Sequence, residues 1–287
     1  MSIDLWDLLT LVSRVAIYFG VAGTLGGAFS LLVLPRSRTT DSLWHYLRWS
    51  CLVGLLGTAG HFFVRVASLG APFDETLVSI VAQSAVGDAS KMQVGGFALI
   101  LVASFTARRA VAGKRWLGIA GLGLGSVSLL LSFSLAGHLA EQKFLTRLTL
   151  ALHVLAMALW LGALYPLLHL MRSEGPAQAQ PTMKRFGRLA VGIVGLLVAC
   201  GIWLGLVLIP DFGSLLSTGH GRTLGIKLFL VGLLLLLAAG NKWFWVPRLP
   251  ESKASSGLSI SIRGELALGI LILIATAVLA NLVGPHH

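Results

Sequence analysis

Apolar residues in this chain gather into long unbroken runs. Neither the alternation of a half-buried strand nor the narrow stripe of a surface helix dominates. Eight runs approach or exceed the about 20 residues that a helix needs to cross hydrocarbon, at 8–34, 43–67, 88–107, 116–139, 145–171, 187–210, 222–247 and 262–283. Each reads as a transmembrane helix, because only a helix pairs all its backbone polar groups within one segment in lipid. The third is the weakest: its apolar run from Met92 to Ala107 is short, so the span has to begin near Asp88. The longest connection, 68–87, holds Leu77, Val78, Ile80 and Val81, which a helix lying in the membrane surface would place on one face. The pattern predicts an all-α polytopic bundle in one integral membrane domain over 1–287, with four helices in 1–139 and four in 140–287.

Composition agrees. The chain is 56% hydrophobic and 11% charged, with a mean hydropathy of +0.86, whereas soluble domains carry about 25% charged residues. Its polar side chains are too few to cover a globule in water, and the expected partner of its surface is the lipid bilayer.

The net charge of +11 arises from 22 basic and 11 acidic residues, and their placement tests the eight-helix count. Fifteen basic residues fall near the connections after helices one, three, five and seven, among them Arg36, Arg108, Lys184 and Arg248; the opposite side has seven. Acids run the other way, four against seven. The whole excess therefore sits on one face, which the positive-inside rule makes cytoplasmic, with both termini outside. The high pI of 10.5 reports topology, and no nucleic-acid partner is needed to explain it.

Other features exclude or narrow. The chain begins with Asp4 and Asp7 and no basic n-region, so the first helix is expected to stay in the membrane. No connection exceeds about 20 residues and no GxxxxGK[ST] motif occurs, so no ATP-binding domain is expected in this chain. No Ser/His/Asp constellation stands out and the carboxylates are few and peripheral, so an enzyme is not expected. Cys51 and Cys200 lie in apolar runs and read first as small buried hydrophobes. Gly121–Gly125 and Gly201–Gly205 have the four-residue spacing that lets helices approach closely.

Ionisable groups inside a membrane are costly and tend to mark sites or pathways. Of the eight histidines, His45 and His169 fall near the basic side; His61, His138, His153, His220, His286 and His287 fall on the opposite side. At 1.5 Å per residue, His61 lies roughly 9 Å inside the outer end of helix two and His153 roughly 12 Å below the start of helix five. His138 closes helix four, which a short turn joins to helix five as an antiparallel neighbour. Met157 follows His153 at i+4 on the same face. An imidazole stacked on a thioether suits a soft metal, and copper as Cu(I) ahead of Cu(II). His153 and His138 lead the ligand set, followed by His61 and Met157. Accessory candidates are His220, His286, His287, Glu141 and Trp160, the last as a wall of the site. Each has a plainer role open to it: a packed imidazole bonded to a carbonyl, a thioether or indole filling the core, a solvated carboxylate at a helix end, a terminal tag. Arg14 and Lys227 are expected to snorkel outward, and Glu265 and Asn241 to pair between helices seven and eight.

From His138 onward the chain resembles the copper resistance protein D (CopD) family of bacterial membrane proteins. The resemblance rests on SLAGHLAE around His138, LHVLAMALWLGALYPLL around His153 and Trp160, KRFGRLAVGIVGLLVACGIWLG in helix six, GRTLGIKLFLVGLLLLLAAGNKW through helix seven and the closing ELALGILILIATAVLANLVGP. Its ordered polar landmarks are His138, His153, Gly221, Lys227, Asn241 and Glu265; at His220 the family pattern has an aromatic. The resemblance implies an eight-helix domain at the bacterial inner membrane that moves copper from periplasm towards cytoplasm. The chain shows no Cys-rich or Met-rich soluble copper domain, so a separate periplasmic copper carrier is the implied donor. Two other readings stand beside it. Facing histidines can ligate the iron of haem b in an electron carrier, and a copper sensor or scaffold would bind without transporting.

Overall fold

The computed structural model describes residues 4–35, 39–70, 74–109, 115–135, 143–208 and 218–281. The described chain is helical throughout, in the order α1 (Leu5–Val33), α2 (Thr40–Ala67), α3 (Glu75–Ala82), α4 (Ala85–Arg109), α5 (Arg115–Ser132), α6 (Phe144–Glu174), α7 (Pro176–Leu208), α8 (Gly219–Gly240) and α9 (Ser252–Asn281). Among the described residues, seven of these are long and apolar enough to span a bilayer, with α4 the least apolar. The remaining span expected at 116–139 is α5, whose 18 helical residues measure about 27 Å; the end of that span, with His138, lies outside the described residues. The short α3 is the surface helix expected in 68–87. Asp74 caps it, accepting from Thr76 N at 3.3 Å.

Local chemistry sets the helix ends. Asp4 and Asp7 form a reciprocal capping box on α1: Asp7 N donates to Asp4 Oδ1 at 2.7 Å and Asp4 N to Asp7 Oδ2 at 3.3 Å. Thr218 caps α8 through Gly221 N at 3.1 Å.

One connection differs from the sequence expectation. The stretch 172–186 is polar enough to read as a loop, but it is helical almost throughout, and α6 and α7 are joined at Gly175. Gly175 has φ +83°, a conformation open to glycine, and Pro176 then opens α7. The polar residues are good helix formers outside the hydrocarbon, so both helices extend beyond it. The result is a tight antiparallel hairpin whose register is fixed at its turn.

The central helix is α1, packed against α2, α6 and α9 and touching α5. Its small residues make this possible. Gly20 lies against the backbone of Gly54 on α2, and Gly26 against that of Gly162 on α6. In lipid, association is driven by such close contact rather than by removal of apolar surface from water. Gly121 and Gly125 do the same for α5 on α4: a Cβ added at either would come within 2.8 Å of Ala103 Cβ or Gly96 O. Three apolar clusters result: one built mainly on α1, α2, α4 and α5 with Val154 and Ala158 of α6, one mainly on α6 to α9, and a small one of Tyr18, Leu273 and Ala277; Met157 borders all three. By contrast α7 and α8 leave much apolar surface uncovered, including Leu206, Phe229 and Leu236, as a lipid-facing wall should.

Polar groups that enter the bundle are tied. Arg48 donates from Nε to Ser104 Oγ at 3.0 Å and lies 3.9 Å from the Phe105 ring centroid. At the basic side α8 gives way to a π-helical turn, Asn241–Trp245, and a 3₁₀ turn, Val246–Arg248. Pro247 lacks the N–H that would continue the ladder. Gln180 of α7 takes up the freed carbonyls, donating to Val246 O at 3.1 Å and Pro247 O at 2.9 Å.

Candidate metal site on the α6–α7 hairpin

The single-residue turn decides what faces His153. His153 lies 22 residues before Gly175 and Leu197 lies 22 residues after it, so an antiparallel hairpin sets the two opposite each other. The His153 Nδ1 donates to Leu197 O at 3.1 Å. A carbonyl can only accept, so the proton is on Nδ1 and the lone pair is on Nε2. Metal-bound histidines are oriented by this same arrangement, one ring nitrogen on a carbonyl and the other on the metal. The ring also needs room, which Gly201 supplies: a Cβ there would sit 3.3 Å from His153 Cε1. Gly201 was expected to bring helices together; it makes space for the imidazole instead.

Cys200, the residue before Gly201, is 6% exposed. α6 is the principal neighbour of α7, and Cys200 lies three residues after Leu197, on the same face of α7. Its burial fits the small hydrophobe read from the sequence, and the hairpin register sets it one turn from Leu197. Met157 lies one turn from His153, half-buried and packed against the core clusters, and the core-filling role accounts for its contacts. Trp160 is 3% exposed within the α6–α9 cluster, a core residue. Lys227 of α8 is half-buried, not snorkelled, and within Coulombic range of His153. Its ammonium opposes a cation bound at Nε2. Lys227→Met is accordingly expected to tighten Cu(I) binding roughly tenfold, as read by chelator competition.

His61 stands elsewhere. Ser13 Oγ donates to Thr10 O at 2.9 Å, so its 3.3 Å contact with His61 Nδ1 is one in which the imidazole donates. His61 borders a cavity of about 30 Å³ among α1, α2, α4 and the end of α5, lined also by Arg14, Ser90, Gln93 and Ser132. Arg14 is half-buried, its Nε donating to Asn281 Oδ1 at 3.3 Å at the end of α9. A guanidinium beside the cavity favours water or an anion over a metal cation. The volume holds about one water-sized ligand and no porphyrin.

The expected grouping of His61, His138 and His153 is therefore not assembled from its described members. His61 and His153 are at similar depth but in different interfaces, since depth says nothing of direction around the bundle. Among the described residues, no three His, Cys, Asp or Glu side chains converge. α5 does touch α6, although α4 is its main partner. His220 lies in the first turn of α8. His138, Glu141, His286 and His287 lie outside the described residues. The expected pairing of Asn241 with Glu265 is present, Nδ2 donating to Oε1 at 2.9 Å.

The helices define an α-helical multi-pass membrane protein. Residues 180–279, which run from α7 into α9, match the family model for copper resistance protein D. His153 lies before that region. The chain is 31% identical over 163 residues to the copper transport protein CutJ of Bacillus subtilis (strain 168), covering 55% of this chain and 29% of that protein. It is 32% identical over 140 residues to the inner membrane protein YebZ of Escherichia coli (strain K12), covering 46% of this chain and 47% of that protein. The chain thus spans half or less of the length of these relatives. No solved structure matches it.

Proposed function

We propose that this protein binds Cu(I) at His153 and passes it across a bacterial inner membrane towards the cytoplasm. The observation that carries the reading is the His153–Leu197 hydrogen bond, which leaves Nε2 as a fixed, unprotonated donor in the membrane. Cys200 supplies a soft sulfur on the same face of α7 as Leu197, and imidazole with thiolate suits Cu(I). The copper resistance family match, and a relative whose name is a copper transport protein, point to the same metal. The basic residues around Gly175 favour a cytoplasmic turn there, which has the metal entering from the periplasm, delivered by a separate carrier. Inward movement then draws on the membrane potential, an ion gradient or a cytosolic sink.

Copper accumulation tests it. Cells expressing the wild-type chain should gain more cytoplasmic copper than cells expressing His153→Ala at equal membrane abundance. Equal accumulation by both, with copper still bound by the purified wild type, would make it a sensor or scaffold. Reporter fusions should read residue 175 as cytoplasmic and residue 70 as external. The reverse result would invert the direction.

A further inference from the structure

The basic end of the bundle holds a buried polar pair that copper entry at His153 does not use. After Gly240 the chain widens into its π-helical turn, a geometry found mostly at functional sites. That turn presents Asn241 to α9, where its Nδ2 donates to Glu265 Oε1 at 2.9 Å. Asn241 is 8% exposed and Glu265 2%.

Nothing around Glu265 supplies a counter-charge. Among the described residues it forms no ion pair. Lys242 lies over Trp243, 5.8 Å from the ring centroid, and Arg248 donates to Phe244 O at 3.1 Å. Lys253 and Arg263 are on exposed positions of α9. On α6, His169 stacks on Tyr165, while Arg172 and Glu174 lie in its last turn. Residues 15–33 of α1 carry no charge, and the charges of α8, Arg222 and Lys227, are towards its other end.

Asn241 Oδ1 is buried and has no hydrogen-bond partner. A carboxylic acid and a primary amide complete each other through two hydrogen bonds, amide N–H to acid carbonyl and acid O–H to amide oxygen. The first of these is in place; the second needs a proton on Glu265. Turning the amide over would set two acceptor oxygens face to face, and again a proton is required between them.

We propose that Asn241 and Glu265 form a proton-binding site within the membrane. The Glu265 carboxylate takes a proton from hydronium at the basic end, leaving water, and the new O–H closes onto Asn241 Oδ1. Release is the reverse step, and no other bond changes. The proposal stands on this pair alone and is independent of the copper reading.

Infrared difference spectra of the full purified chain, stepped between alkaline and acid pH, test it. A protonated-carboxyl C=O band should appear with acid and be absent in Glu265→Gln, which keeps the size and the amide contact. In Asn241→Ala, or Asn241→Ser should alanine not fold, the band should move to higher frequency because the Nδ2 donor is gone. If Glu265→Gln leaves every carboxyl band unchanged, or the band follows sodium rather than pH, the proton site is overturned.

Discussion

Replacing His153 by alanine is expected to weaken Cu(I) binding by roughly a hundredfold or more, since even partners that merely orient a metal ligand are worth 10–100-fold. The change should be local. The ring contributes one hydrogen bond, to Leu197 O, worth about 1 kcal/mol net, and it packs beside Gly201. The variant should therefore purify in normal yield and give an unaltered far-ultraviolet circular dichroism spectrum. Competition against a chromophoric Cu(I) chelator reads the affinity. Cys200→Ser should give a smaller loss, because serine keeps the volume and removes the soft sulfur. Wild-type affinity in His153→Ala would place the metal elsewhere, and the His61 cavity, with Arg14 beside it, would be the next region to examine.

The second large effect concerns assembly. At Gly162, an added Cβ would collide with Ala22 O and come within 2.9 Å of Gly26 Cα. These are backbone atoms of α1, so no rotamer change relieves the contact, and α6 must move off the central helix. Tyr46, whose hydroxyl donates to Gly162 O at 3.1 Å, would lose that bond as well. Gly162→Leu is expected to cost about 3 kcal/mol, at the upper end of overpacking, and to lower the thermal midpoint in detergent by roughly 10 °C. Gly192→Ala and Gly225→Ala serve as controls, for a Cβ at either meets nothing within 4 Å. Those variants should hold or slightly raise the midpoint, because alanine is the better helix former. An unchanged midpoint in Gly162→Leu would refute the α1–α6 contact as the centre of the bundle.

Much of the site was within reach of the residues alone, but not as a site. His153 stood out as an imidazole in an apolar run, and its depth followed from counting. What it faces depends on where α6 turns into α7, and the polar stretch 172–186 reads equally as loop or as helix beyond the membrane. Gly175–Pro176 was the available signal: a residue suited to positive φ followed by one suited to open a helix. Counting equally from it in both directions leads to Leu197. Cys200 read first as a small hydrophobe, since a buried thiol and a buried alanine look alike in hydropathy. The partner of Arg14 was out of reach for a different reason: Asn281 lies 267 residues away in the chain.

The contacts of the central helix show the same division. The four-residue spacing of Gly121–Gly125 marked the α4–α5 crossing, because both glycines lie on one helix face. The pairs Gly20–Gly54 and Gly26–Gly162 each join glycines on different helices, and no spacing along one segment records that.

The sequence by itself determined the all-α membrane bundle, the short helix α3 between α2 and α4, and the polar partners at Asn241 and Glu265. All of these follow from position along the membrane normal, where the transfer of each side chain between water and hydrocarbon sets the energy residue by residue. Only the tertiary structure decided which helices touch, that His153 and His61 stand in separate interfaces, and that His153 faces Leu197 and Gly201 across the hairpin. In a bundle surrounded by lipid, lateral order comes from close packing of small residues on different helices, which one-dimensional hydropathy does not contain.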